Sequence, residues 1–145
     1  MPAPKGVCVA DFSKFKIKDY TYWSLFIHEN QSYLGRCILW CNREDALDLA
    51  DATPEEQQEL FLILSELRPA LQKAFAPDWL NYAFLGNEVR HLHGHILPRY
   101  AQPKNFAGVT FKDELYGHNY KTDRTFSIPE EALEKIRLKI KEALG

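Results

Sequence analysis

Cysteine is scarce: Cys8, Cys37 and Cys41 are the three in 145 residues, and no Cys-x-x-Cys pair is present. An odd number at these spacings excludes a disulfide framework and offers no zinc-ribbon pattern. Cys37 and Cys41 flank Ile38, Leu39 and Trp40 in a strand-like run and read as buried or half-buried thiols. Long apolar runs are missing too, so nothing in the chain reads as a bilayer span. Met1 to Lys5 lack an apolar stretch behind a basic start, which makes a secretory leader unexpected and a cytoplasmic location the default. Charge of one sign is not in excess. Lys and Arg number 18 against 20 Asp and Glu, a net charge of -2, whereas neutralising a nucleic-acid backbone needs clustered basic residues. With 46% apolar and 26% charged residues, the composition is that of one ordinary folded domain, not of a disordered or low-complexity chain.

Periodicity in what remains gives strands, a helix, more strands and a second helix. Phe12 to Lys18 alternates lysine with apolar residues, the pattern of a strand with one wet face. Tyr20 to His28 is aromatic and β-branched, and Arg36 to Cys41 is a third strand. Thr53 and Glu56 fit a capping box with Pro54 in the first helical position. Leu60, Ile63, Leu64, Leu67 and Leu71 then form one apolar stripe, and the helix should end near Ala76 before Pro77. Trp79 to Leu85 reads as a fourth strand and Gly86-Asn87 as a turn. His91 to Leu97 reads as a fifth strand ended by Pro98. The stretch from Ala101 to Thr125 has no firm period, and a C-terminal helix starts around Ser127, Pro129 and Glu130, with Ile136 and Ile140 on one side. This order implies an α+β fold with a mostly antiparallel sheet. Trp23, Trp40 and Trp79 are expected in the core, and His118 on plain surface.

Three of the five histidines stand at 91, 93 and 95. Alternate strand residues share a face, so these imidazoles would project together while Leu92, Gly94 and Ile96 face the other way. At roughly 3.3 Å per residue, His91 and His95 would lie about 13 Å apart on a straight strand. One zinc ion, with ligands at about 2.0–2.1 Å, cannot easily collect all three. An elongated anion suits the row better. A central neutral imidazole can attack phosphorus while its neighbours hydrogen-bond oxygens along a phosphate chain.

The run His91-Leu92-His93-Gly94-His95-Ile96-Leu97-Pro98-Arg99 resembles the signature of the histidine triad (HIT) family, in which three histidines alternate with apolar residues. Gly86-Asn87 resembles the family's Gly-Gln turn, and Asn81 the Asn or Gln that opens the same loop. Leu34 to Leu39 resembles its Pro-Gly-His strand, and Thr53 to Glu56 the start of its long helix. Departures are Gly94 for an apolar residue, Arg36 for a common histidine, Asn87 for the usual glutamine, and a loop from Asn81 to His91 about one residue short.

The resemblance implies a HIT-like fold with one long central helix and a C-terminal helix, its catalytic domain over residues 8–107 and an extension over 108–145. It implies a nucleotide hydrolase or transferase working without a metal or other cofactor. His93 would attack the α-phosphorus and form a nucleotidyl-histidine, while His91 and His95 orient it and bind phosphate oxygens. Asn81, Gly86 and Asn87 would hold phosphates and the leaving group. The ribose position falls at His28, with Glu29 and Asn30 beside it. By strand parity rather than by the resemblance, Arg99 could reach a polyphosphate tail if the strand continues, or lie in solvent if Pro98 bends the chain. Dinucleoside polyphosphates such as diadenosine tetraphosphate are the expected substrates, with nucleoside phosphoramidates or nucleotidyl transfer next. A homodimer is implied as well, with no nucleic-acid or membrane partner. A nucleotide-binding module without turnover and a metal-dependent hydrolase are the rival classes. The segment from Ala101 could close the pocket or join a dimer interface.

Overall fold

In a computed structural model, which describes residues 13–145, Lys16–Asp19 (β1), Trp23–Ile27 (β2) and Cys37–Cys41 (β3) make an antiparallel meander. A helix, Pro54–Phe75 (α1), follows, and then Trp79–Ala83 (β4) and His93–Arg99 (β5). β5 inserts between β3 and β4, and the sheet runs β1-β2-β3-β5-β4 with every pairing antiparallel. A hairpin of Lys104–Phe106 (β6) and Val109–Phe111 (β7) and a closing helix, Glu130–Leu144 (α2), complete the chain. Cys8, the strand start expected at Phe12 and the domain boundary at residue 8 lie outside the described residues. No helix among the described residues is long and apolar enough to cross a membrane.

Helix α1 starts where its sequence dictates. The Thr53 hydroxyl accepts from the Glu56 N–H at 3.1 Å and Glu56 Oε1 accepts from the Thr53 N–H at 2.9 Å. Two otherwise orphaned donors are thereby satisfied. It ends at Phe75, with Ala76 in the left-handed region at φ 49°. Leu60, Ile63, Leu67 and Leu71 are buried, and Leu64 is half-buried.

The sheet presents one face to this helix. Trp23, Leu25, Leu39 and Ile96 are fully buried there, and the Trp23 indole donates to the Glu56 carbonyl at 2.9 Å. Helix α2 packs against α1 and β1, burying Ala132, Ile136 and Ile140.

Several expected boundaries move. β5 starts at His93, not His91, and continues through Pro98 to Arg99. Pro98 pairs with Leu80 two residues beyond Ile96, the last residue paired with β3, where a missing N–H takes nothing from that ladder. Trp79 is not core: it stands 66% exposed on β4, the edge strand. The β6–β7 hairpin lies in the stretch that shows no period. Its turn, Ala107 (φ 52°) and Gly108 (φ 76°), has the two positive φ values of a type I′ hairpin.

Candidate active site

Register across β3 and β5 builds the site. Trp40 lies opposite His93 and Ile38 opposite His95, so these four side chains share the sheet face away from α1. His91 precedes the strand in an irregular segment, yet its ring still joins the group. It stacks on the Trp40 indole at 4.0 Å and 14°, and the His93 ring lies 5.6 Å from the same indole. His93 and His95 meet edge to face at 5.1 Å. Trp40 is therefore both buried, as expected, and the plate against which two of the histidines rest.

Hydrogen bonds assign the ring hydrogens. A carbonyl oxygen can only accept, so His91 Nε2–H donates to the Cys41 carbonyl at 2.6 Å. By the same reasoning, His93 Nδ1–H donates to the backbone carbonyl of His91 at 2.7 Å. A neutral His93 ring then carries its lone pair on Nε2. The opposite tautomer holds at two neighbours, where Nδ1 accepts. The Asn30 backbone N–H donates to His28 Nδ1 at 2.9 Å, and Arg36 Nη2 donates to His95 Nδ1 at 3.2 Å. Neutral rings at His28 and His95 thus each retain an Nε2–H donor.

Burial favours the neutral form at His28, His91 and His95. Burial, with the charges of Arg36 and His93 added, pushes His95 down to about 3. Burial holds His28 well below the usual imidazole range, helped by Arg36 and His95. His91 is lowered by burial despite its bond to Cys41. Burial also raises both strand thiols, Cys41 to about 11, which makes them poor nucleophiles or metal ligands.

His93 and His95 open onto a cleft of about 960 Å³, within the range of small-molecule sites. His91, expected to bind phosphate oxygens, is not among the lining residues, because its ring is held against Trp40 and the Cys41 carbonyl. His28, Glu29 and Asn30 line it after β2, and Gly86 and Asn87 line it from the β4–β5 loop. Gly86 sits at φ 68°, a turn conformation that a side chain would strain. Residues missed at the sequence level line it as well: Trp40, Arg36, Tyr120 and Thr122. Arg36 stood out only as a departure from a family pattern, and Tyr120 and Thr122 belong to the aperiodic C-terminal stretch. That stretch forms a wall of the cleft, tied across it by the Arg124–Glu88 ion pair.

Asn81 and Arg99 are not among the lining residues. Arg99 is 3% exposed, and its Nε and Nη2 hold the two Asp113 oxygens at 2.7 and 3.1 Å. Its Nη1 donates to Asn81 Oδ1 and to the His118 carbonyl, both at 2.8 Å. The structure thus brings these two residues to each other and not to the triad. The arginine expected to reach a polyphosphate tail is enclosed because residues 113–118 fold over this end of the sheet. Among the described residues, no three His, Cys, Asp or Glu side chains are grouped as a metal ion would need. What the site offers is one imidazole lone pair flanked by neutral N–H donors, an arrangement for nucleophilic attack on an anionic electrophile.

Comparison with known proteins agrees with this geometry. The HIT domain family model matches residues 15–102. A bis(5'-adenosyl)-triphosphatase of Saccharomyces cerevisiae is 30% identical over 101 residues, covering 61% of this chain and 48% of the yeast protein. The chain therefore spans about half the length of the curated relatives it matches. A histidine triad protein from Bradyrhizobium japonicum superposes with a TM-score of 0.69 at 19% identity, covering 99% of this chain and 100% of its own. One from Sinorhizobium meliloti gives 0.67 at 22%, covering 94% and 95%. With His93 and His95 on the cleft wall, His91 stacked behind them on Trp40, and the family model matched across the sheet and the long helix, this chain belongs to the HIT domain family.

Proposed function

We propose that the protein is a nucleotide hydrolase that cleaves a nucleoside phosphate bond of a dinucleoside polyphosphate, diadenosine tri- or tetraphosphate, through a covalent nucleotidyl-His93. The observation that carries this reading is the His93 Nδ1–H bond to the His91 carbonyl. It fixes the tautomer whose Nε2 lone pair can attack phosphorus, and the carbonyl supports the positive charge that develops on the ring. In the first step, Nε2 bonds to the α-phosphorus and the phosphoanhydride P–O bond breaks, its electrons leaving with the departing nucleotide. In the second, water attacks the same phosphorus and the N–P bond breaks. Nucleoside monophosphate is released and the lone pair returns to His93.

The neighbours have separable roles in this reading. His95, neutral with an Nε2–H donor, stabilises charge on the transferring phosphoryl oxygens. His91 braces the Trp40 plate and supplies the carbonyl that orients His93. Gly86 and Asn87 face the phosphates and leaving group from their loop, and His28, Glu29 and Asn30 face the ribose. The yeast relative's name supports a diadenosine polyphosphate substrate. Phe61 and Leu62 on α1, and Trp79 and Tyr82 on edge strand β4, are exposed. They support a homodimer through helix and sheet edge, which light scattering would test by giving twice the chain mass.

Incubation of the protein with diadenosine tri- and tetraphosphate in chelator, followed by chromatography, tests the reaction. AMP and the complementary nucleotide are expected from the wild type and not from His93→Ala. A wild-type protein that turns over neither compound overturns the reading.

A further inference from the structure

Arg36 is 4% exposed and lies in the wall of the cleft. Charged groups buried to this degree are ordinarily paired with an opposite charge, because desolvating an unpaired ion is expensive. Among the described residues, no carboxylate lies within ion-pair distance of Arg36. Its contacts are the Thr122 hydroxyl at 2.7 Å from Nη1, His95 Nδ1 at 3.2 Å from Nη2 and the face of Tyr120 at 5.5 Å. Its Nε is buried with no hydrogen-bond partner. The charged and titratable groups that act on it are His28 after β2, His95 on β5, Tyr33 in the β2–β3 loop, and Tyr120 and Arg124 in the C-terminal wall. The cleft's carboxylates, at Glu29, Glu88, Glu130, Glu131 and Glu134, make no ion pair with it.

We propose that Arg36 is a positioning residue for an anionic ligand of the cleft: its guanidinium locks His95 in the Nε2–H tautomer, and its uncompensated charge is balanced by the phosphate of a bound nucleotide. This rests on the reading of the cleft as a nucleotide site, and it adds why that site needs an anion. An arginine does not titrate near neutrality, so the lock holds wherever the protein is folded. The Nε2–H of His95 remains available to a phosphate oxygen, and a second positive charge on His95 is opposed by the first on Arg36. The buried Nε offers no direct contact, so the charge acts through His95 and through space.

Nitrogen-15 NMR of the His95 ring and calorimetric titration with AMP, with adenosine as the uncharged control, test the proposal without requiring turnover. In the wild type, His95 should be the Nε2–H tautomer from pH 5 to pH 8. Arg36→Met should mix the tautomers, raise the His95 titration only in part because burial still lowers it, and weaken AMP by about 10- to 100-fold with adenosine unchanged. Arg36→Gln keeps a polar side chain but no charge, and its amide ends two bonds short of the Nη2 that reaches His95. It should mix the tautomers and lose AMP affinity as the methionine variant does, and it decides the matter if the methionine variant does not fold. An Nδ1–H tautomer in the wild type, or AMP affinity unchanged in Arg36→Gln, overturns the proposal. An inactive wild type with these responses intact overturns the hydrolase reading alone.

Discussion

The Phe84 ring occupies the space that a side chain at position 94 would need, so that a Cβ added to Gly94 would collide with its edge atoms. Gly94 separates His93 from His95, and its place on the helix-facing side of β5 is filled by an aromatic ring from the loop that carries Gly86 and Asn87. The missing side chain is thus the means by which that loop is seated beside the histidines.

Gly94→Ala should therefore lower stability by about 1–3 kcal/mol, the usual cost of overpacking, and Phe84→Leu should recover part of it in the double variant. Urea denaturation of the four proteins of the cycle measures this. A Gly94→Ala variant as stable as the wild type would show that Phe84 moves away freely.

Stability should fall as the solution is acidified through the histidine range. The folded-state values of His28, His91 and His95 are all depressed, that of His95 to about 3, against about 6.5 in an unfolded chain. Between those limits the unfolded state binds more protons, so their stabilising effect is complete above about pH 6.5 and lost toward lower pH. Each group contributes a slope of up to about 1.4 kcal/mol per pH unit. Thermal melts at pH 7.5, 6.5 and 5.5 should show a falling midpoint, with a shallower fall in His95→Gln. A midpoint flat across this window would mean that the rings are protonated in the folded protein.

Asp113 and Arg99 hold the 113–118 segment over the far end of the sheet, the carboxylate 1% exposed and its partner 3%. Asp113→Ala leaves a buried guanidinium without its counter-charge and should cost about 3–5 kcal/mol, read from the denaturant midpoint. Arg99→Met should likewise act on stability. Loss of turnover in Arg99→Met with an unchanged midpoint would instead return Arg99 to the substrate.

Much of this was legible in the sequence because local rules were in agreement. Thr53, Pro54 and Glu56 mark the helix start, the leucine stripe marks its buried face, and His93 and His95 alternate as strand neighbours must. The remainder depends on pairing, which a single strand does not reveal. Trp40 joins the site because β3 sets it opposite His93, and Arg99 leaves the site because Asp113 comes from a loop 14 residues away. Parity alone put His91 in the strand, whereas its segment bends so that Leu92 donates to the Ala46 carbonyl and accepts from the Cys41 N–H. The β6–β7 hairpin carries no turn signal in the sequence because Ala107 occupies a positive-φ position where asparagine or aspartate is usual.

Asn87 lines the cleft on an exposed loop and packs into no core. Asn87→Ala should lower kcat about tenfold or more, as expected for losing a donor to the leaving group, while the melting temperature stays within a degree or two. Unchanged turnover would remove Asn87 from the phosphate site.

The central claim is that His93 Nε2 becomes covalently bonded to phosphorus. Mass spectrometry of protein quenched at neutral to alkaline pH during turnover of diadenosine tetraphosphate, with chelator present, tests it most directly. A mass increment of one adenylyl group on the peptide carrying His93, absent in His93→Ala, is the predicted result. Turnover that persists in His93→Ala, or an adduct mapping to another residue, would contradict it.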